Sequence, residues 1–156
     1  MNDKINWGIL GPGRIARAFA EGLKYAKNGR LMAIASRSPQ RARDFAEEWE
    51  VPTVCDSYQK LAECSNIDAI YIATPHSEHH DATILCLQNK KNVLCEKPLA
   101  VNASQVDSMA RTAKKENVLL MEGMWSRFPP LMGKVREIIN SQALGKISLL
   151  RVDFDF

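Results

Sequence analysis

Six short apolar runs, separated by longer stretches with helical periodicity, constrain this chain more than any other feature. The runs cover residues 5–10, 31–36, 53–55, 68–73, 92–96 and 118–122, with 53–55 the weakest. Strands this apolar need cover on both faces, which a parallel sheet with crossover helices provides. Between the runs, residues 15–27, 39–50, 77–88 and 103–116 repeat apolar side chains at three- and four-residue spacing, as Val106, Met109, Ala110 and Ala113 do in the last. Asn102 stands where an N-cap precedes that helix, and Pro39 falls in the first turn of the second, where a missing N–H costs little. The expected fold is α/β, a doubly wound parallel sheet over residues 1–124.

The texture changes beyond that point. Arg127-Phe128-Pro129-Pro130 introduces a helix to about residue 140, Gly145 ends the following turn, and residues 146–156 alternate. Ser148, Leu150, Val152, Phe154 and Phe156 share one face and Arg151, Asp153 and Asp155 the other, the pattern of an antiparallel strand with one covered face. Residues 125–156 therefore read as a connecting helix and the opening strand of a second, truncated α+β domain. Its uncovered apolar face allows a homo-oligomer.

Composition narrows the partners. The 156 residues are 46% hydrophobic and 25% charged, as in a soluble globular domain rather than a disordered or disulfide-stapled chain. The net charge is +3, with basic residues scattered among acidic ones, so no stripe tracks a phosphate backbone and nucleic acid is not an expected partner. Cys55, Cys64, Cys86 and Cys95 form no CxxC pair and no metal-ligand spacing; they read as reduced, mostly buried thiols, with Met109, Met121 and Met124 as further core. No apolar stretch approaches the roughly 18 residues of a membrane span, and the start of the chain has no apolar signal region, so a cytoplasmic location is expected.

Gly11-Pro12-Gly13-Arg14-Ile15-Ala16 follows the first strand directly and opens a helix. That context makes the spacing a Rossmann dinucleotide-binding signature: Gly11 permits the turn, Gly13 lets a pyrophosphate approach the backbone, Ala16 allows close helix packing, and the helix N-terminus favours an anion. A turn that needs glycine for its backbone alone is the plainer alternative. Where an NAD site would carry Asp or Glu at the end of strand two, this chain has Ser36-Arg37, with Arg41 and Arg43 behind. A hydroxyl and guanidinium groups suit a 2′-phosphate, which favours NADP over NAD, unless the arginines form only a solvated helix face.

Strand five ends in Cys95-Glu96-Lys97-Pro98-Leu99, at the carboxyl edge where ligands of open α/β sheets collect, and Pro98 holds Lys97 out of the helical region. These residues, with the glycine turn, Ala73-Thr74-Pro75-His76 and His79, and Met124-Trp125-Ser126-Arg127-Phe128-Pro129, resemble the Gfo/Idh/MocA family of nicotinamide-dependent sugar and polyol oxidoreductases. The likeness runs along essentially the whole chain. Glu122-Gly123-Met124-Trp125-Ser126-Arg127-Phe128 together with Ser36-Arg37 looks most like the branch of dihydrodiol dehydrogenases and NADP-linked xylose dehydrogenases.

The resemblance implies an oxidoreductase acting on a CH–OH group of a sugar, polyol or diol. It implies that Lys97 sits beside the nicotinamide and the reacting carbon, as a buried lysine that accepts or polarises the hydroxyl proton. It implies that Glu96 orients Lys97 or touches the cofactor ribose, that Thr74, Pro75, His76 and His79 lie along the cofactor, and that Trp125 and Arg127 contact its nicotinamide end. Core packing is the alternative for Trp125. Although His76, His79 and His80 fall at helical spacing, nothing completes a metal site, and none is expected. The family's second domain supplies the substrate pocket, so this chain on its own is expected to bind cofactor and turn over little substrate. Two other readings stand beside this one. A non-catalytic dinucleotide-binding or redox-sensing module would keep the glycine turn without the chemistry, and a methyltransferase would put an acid at the end of strand two, against Ser36-Arg37.

Overall fold

The computed structural model describes residues 4–153. Six strands, β1 (Ile5–Leu10), β2 (Gly29–Ala35), β3 (Thr53–Cys55), β4 (Ala69–Ile72), β5 (Asn92–Glu96) and β6 (Leu120–Gly123), form one sheet in the order β3-β2-β1-β4-β5-β6. Every neighbouring pair is parallel, with Trp7–Leu10 of β1 in register with Ala69–Ile72 of β4. The order reverses between β1 and β4, which opens a crevice beyond their carboxyl ends.

Alternate strand residues feed two cores, one on each face. Ile9, Ile34 and Tyr71 pack with Ala16 and Ala20 of α1 (Arg14–Tyr25) and with Ala42, Phe45 and Ala46 of α2 (Pro39–Trp49). The Phe19 ring stacks on Tyr71 with centroids 4.1 Å apart. On the other face, Leu10, Ala33, Ala35, Ile70, Ile72 and Cys95 meet Leu61 and Ala62 of α3 (Tyr58–Glu63), Cys86 and Leu87 of α4 (His79–Gln88) and Ala113 of α5 (Ala103–Glu116). Successive strand side chains point to opposite faces, and helices cover both of them.

Side-chain caps start three of these helices: Ser38 Oγ accepts from Arg41 N, Ser57 Oγ from Lys60 N and Asn102 Oδ1 from Gln105 N. Pro39 is the first residue of α2. α3 goes beyond the sequence expectation because six residues are too few to show a period. The helix expected over 77–88 begins instead as a 3₁₀ turn, His76–Glu78, that passes into α4. Of the methionines expected in the core, Met109 is buried, whereas Met121 and Met124 are exposed.

The chain divides into two compact units, Met1–Gly123 and Met124–Phe156. In the second, a 3₁₀ turn (Trp125–Arg127) precedes α6 (Pro130–Asn140), and Gly145 takes φ +64° after it. The expected C-terminal strand is not formed over residues 146–153, because a strand needs a neighbour to receive its backbone hydrogen bonds and the described residues of this unit provide none. Phe154, Asp155 and Phe156 lie outside the described residues. Among the described residues no helix is long and apolar enough to cross a membrane.

Candidate functional site

A groove of about 470 Å³ lies at the crevice, lined by the turns that follow β1, β2 and β4. It brings together Gly11, Pro12, Gly13, Arg14, Ile15, Ser36, Arg37, Arg41, Thr74 and Pro75, all expected from the sequence, and adds Ser38, Tyr58 and Ala73.

The two glycines answer to different demands. Gly11 has φ +92°, and a Cβ there would meet Ala73 O at 2.8 Å and Ala73 C at 3.0 Å, so the approach of β1 and β4 requires glycine. Gly13 has an ordinary φ of −86°, and the nearest atom to a Cβ there would be Ala73 O at 3.9 Å. Nothing among the described residues demands glycine at 13; a side chain there would fill the groove over the start of α1. That helix starts without a side-chain cap and without an acidic residue in its first turn, which suits an anion. Arg17 holds the turn in place: its guanidinium donates to Glu48 Oε2 at 2.9 Å and to Pro12 O at 3.2 Å.

The opposite wall carries cations and hydroxyls. Ser36 is buried and its Oγ accepts from Ser38 N at 3.1 Å, shaping the turn into α2. Arg37 and Arg41 are exposed. Tyr58, partly buried in the lining of the same groove, has its phenol pushed up by burial, with Arg37 pulling the other way and Glu78 pushing up, which marks these groups as neighbours. Thr74 Oγ1 is buried with no hydrogen-bond partner among the described residues, a polar atom left for a ligand to satisfy. These features fit a dinucleotide: backbone space, a helix N-terminus, cations and an unpaired hydroxyl.

The 95–99 turn is pinned from three directions. Glu96 Oε1 accepts from Tyr71 Oη at 2.6 Å while Oε2 accepts from Lys97 N at 3.2 Å, so Glu96 orients the lysine through its backbone. Leu99 N donates to Glu122 Oε1 at 2.9 Å. His79 Nδ1 lies 2.8 Å from Pro98 O and Nε2 lies 3.1 Å from Thr74 O. The Lys97–Pro98 peptide is cis. Burial and the Glu96 hydrogen bond push the Tyr71 hydroxyl up, which keeps it a donor.

Two expectations change. His79 is fully buried rather than presented to the groove, because both ring nitrogens face backbone carbonyls; it ties the Thr74 turn to the Pro98 turn. Lys97 is exposed rather than buried, because nothing within the first unit covers the tip of the turn. His76 is exposed, with its ring 5.4 Å from that of His79. In the second unit Trp125 is 59% exposed, so it is not core, and Arg127 accepts through its carbonyl from Arg136 Nη1 at 3.0 Å.

The residues missed by sequence reasoning act through tertiary contacts. Arg17 and Tyr71 leave no local signal, and Glu122 stands out only as part of the 122–128 motif, without a sign of its bond to Leu99 N, whereas Ser38 before Pro39 and Ser57 before α3 do carry the N-cap signature. The four thiols are free; burial pushes Cys86 and Cys95 to about 12 and Cys55 to about 11.

Known proteins share this architecture. The chain is 41% identical over 150 residues to trans-1,2-dihydrobenzene-1,2-diol dehydrogenase of Xenopus tropicalis, a match covering 95% of this chain and 46% of that protein. A probable dehydrogenase from Thermotoga maritima superposes with a TM-score of 0.86 at 33% identity, over 91% of this chain and 43% of the other. KijD10, a 3-ketoreductase from Actinomadura kijaniata crystallised with NADP and TDP-benzene, does so with 0.82 at 28% identity, over 88% and 42%. The chain thus spans about half the length of the relatives it matches. With residues 5–124 matching the family described as "Oxidoreductase family, NAD-binding Rossmann fold", the chain belongs to the Gfo/Idh/MocA oxidoreductases.

Proposed function

We propose that this chain is the NADP(H)-binding part of a cytoplasmic oxidoreductase that transfers hydride between nicotinamide and a CH–OH group of a sugar, polyol or diol. On this reading residues 1–124 are the nucleotide-binding domain, and residues 125–156 lead into the substrate-binding and oligomer-forming part of a longer protein. The single observation that carries it is the space over Gly13, which the fold itself does not require and a pyrophosphate would occupy.

Each residue has a task. Gly11, Pro12, Gly13, Arg14 and Ile15 hold the pyrophosphate at the uncapped start of α1. Ser36, Arg37 and Arg41 receive the 2′-phosphate, with two guanidinium groups offering donors and neither Asp nor Glu in the turn after β2 itself. Thr74, Pro75 and His76 border the cofactor, and His79 steadies them from below. Nicotinamide, when bound, accepts or returns the hydride. Lys97 takes up or returns the substrate hydroxyl proton at Nζ, Glu96 and Tyr71 fix the lysine's backbone, and Trp125 and Arg127 attend the nicotinamide end. The dihydrodiol dehydrogenases among the relatives support a diol as substrate.

Titration of the chain with NADPH and NADH, followed by nicotinamide fluorescence, tests the reading. NADPH should bind more tightly, Arg37→Ala should weaken it about tenfold or more, the loss of a charge-assisted phosphate contact, and Lys97→Ala should leave binding unchanged. Equal affinity for both nucleotides, unaltered in Arg37→Ala, would overturn the NADP preference.

A further inference from the structure

The cation best placed to read a 2′-phosphate already has a partner. Arg37 Nη1 lies 2.8 Å from Glu78 Oε1, and Glu78 ends the 3₁₀ turn that follows β4. The pair therefore joins the turn after β2 to the turn after β4, and both turns line the groove through Arg37, Ser38, Thr74 and Pro75. Tyr58 sits close enough to feel Arg37, Glu78 and Arg41 together.

We propose that Glu78 is a specificity-determining residue: a carboxylate that occupies one side of the Arg37 guanidinium and opposes only a ligand that brings negative charge to the ribose 2′ position, so that it limits the preference of this groove for NADP(H) over NAD(H). The proposal rests on the reading of the groove as a dinucleotide site. A 2′-phosphate carries between one and two negative charges near neutrality. It gains from Arg37 and Arg41 and is repelled by Glu78, whereas a 2′-hydroxyl leaves the existing ion pair undisturbed. Glu78 also steadies Arg37, but a neutral glutamine keeps an acceptor for the same guanidinium N–H while removing the charge. The groups facing Glu78 are Arg37 at the end of β2, with Tyr58 on α3 and Arg41 on α2 beside them. The side chains of Arg37 and Glu78 are 61% and 36% exposed, so solvent screens the effect.

The test compares wild type with Glu78→Gln and Glu78→Lys, titrating each with NADPH, NADH, 2′,5′-ADP and 5′-AMP. Glu78→Gln should bind NADPH and 2′,5′-ADP about fivefold more tightly while NADH and 5′-AMP stay within about twofold, the scale of a screened charge pair, and Glu78→Lys should extend the gain. The advantage should shrink as salt rises from 0.1 to 1 M, where the Debye length falls from about 10 to about 3 Å. A merely structural role would not separate ligands by their 2′ group or respond to salt. If the variants bind NADPH no better than wild type, or if NADH gains equally, Glu78 does not set the preference although the dinucleotide reading survives. If wild type binds none of the four ligands, the dinucleotide reading itself fails and takes the proposal with it.

Discussion

Residues 4–123 and residues 124–153 use similar amphipathic material to opposite ends. In the first unit the central strands β1, β2, β4 and β5 alternate between two apolar cores, and the helices that cover them bury residues against one or the other. In the second, α6 has the apolar spacing of a core-facing helix and buries none of its residues, while Leu149, Leu150 and Val152 stand more than two-thirds exposed in a segment without strand. Pattern alone does not make a core; the matching face must be within reach. The first unit supplies its own partners because each strand is followed by the element that covers it.

Substitutions at matched apolar positions should separate the units most sharply. Phe45 is fully buried between α1, α2 and the sheet, so Phe45→Ala should cost about 3–5 kcal/mol in urea unfolding. An unchanged midpoint would mean that the two units differ less in packing than their burial indicates.

Alkaline pH should come next and act on the first unit alone, since all four cysteines lie there. Burial raises the Cys86 and Cys95 thiols from 9.0 to about 12, so the unfolded chain ionises them near pH 9 while the folded one holds its protons. The stability they contribute is fully present below pH 9 and drains as the pH climbs toward 12. At pH 10 the two together should cost about 2–3 kcal/mol relative to pH 8. Urea midpoints at the two values, with Cys86→Ala flattening the dependence, check this; a midpoint independent of pH would remove burial of these thiols as a source of stability.

The same contrast explains what was legible in the sequence. Strand runs, the four long helices and the glycine turn were readable because period, capping and turn chemistry are local, and Asn102 and Pro39 fall where local rules place them. The groove wall was legible in Arg37 and Arg41 because a missing acid at the end of β2 is itself a local signal. His79 was not: helical spacing gives it a face, but only the meeting of the Thr74 and Pro98 carbonyls fixes its role. Glu78 and Tyr71 were hidden for the same reason, as their partners lie 41 and 25 residues away. The C-terminal alternation was legible only as a pattern of faces, because a period of two specifies faces whereas a strand requires a neighbour, and residues 146–153 have none among the described residues.

Local capping offers a smaller test of the first unit. Asn102→Ala removes the acceptor for Gln105 N at the start of α5 and should cost about 1 kcal/mol, while Asn102→Asp, which keeps the acceptor, should cost a few tenths at most. Equal losses from both would assign the effect to something other than the cap.

The smallest expected effect falls in the second unit and has the most power to break the contrast. Leu131 on α6 is 72% exposed, so Leu131→Ser removes apolar surface that is already in water and should change unfolding free energy by no more than about 0.5 kcal/mol. The same truncation of a covered leucine would cost several times as much. A loss above about 2 kcal/mol, accompanied by a concentration-dependent midpoint, would mean that the apolar face of α6 is covered in solution by a second copy of the chain. A small change at every concentration leaves α6 a helix whose pattern awaits a surface, and places the stability of this chain in the sheet and helices of residues 4–123.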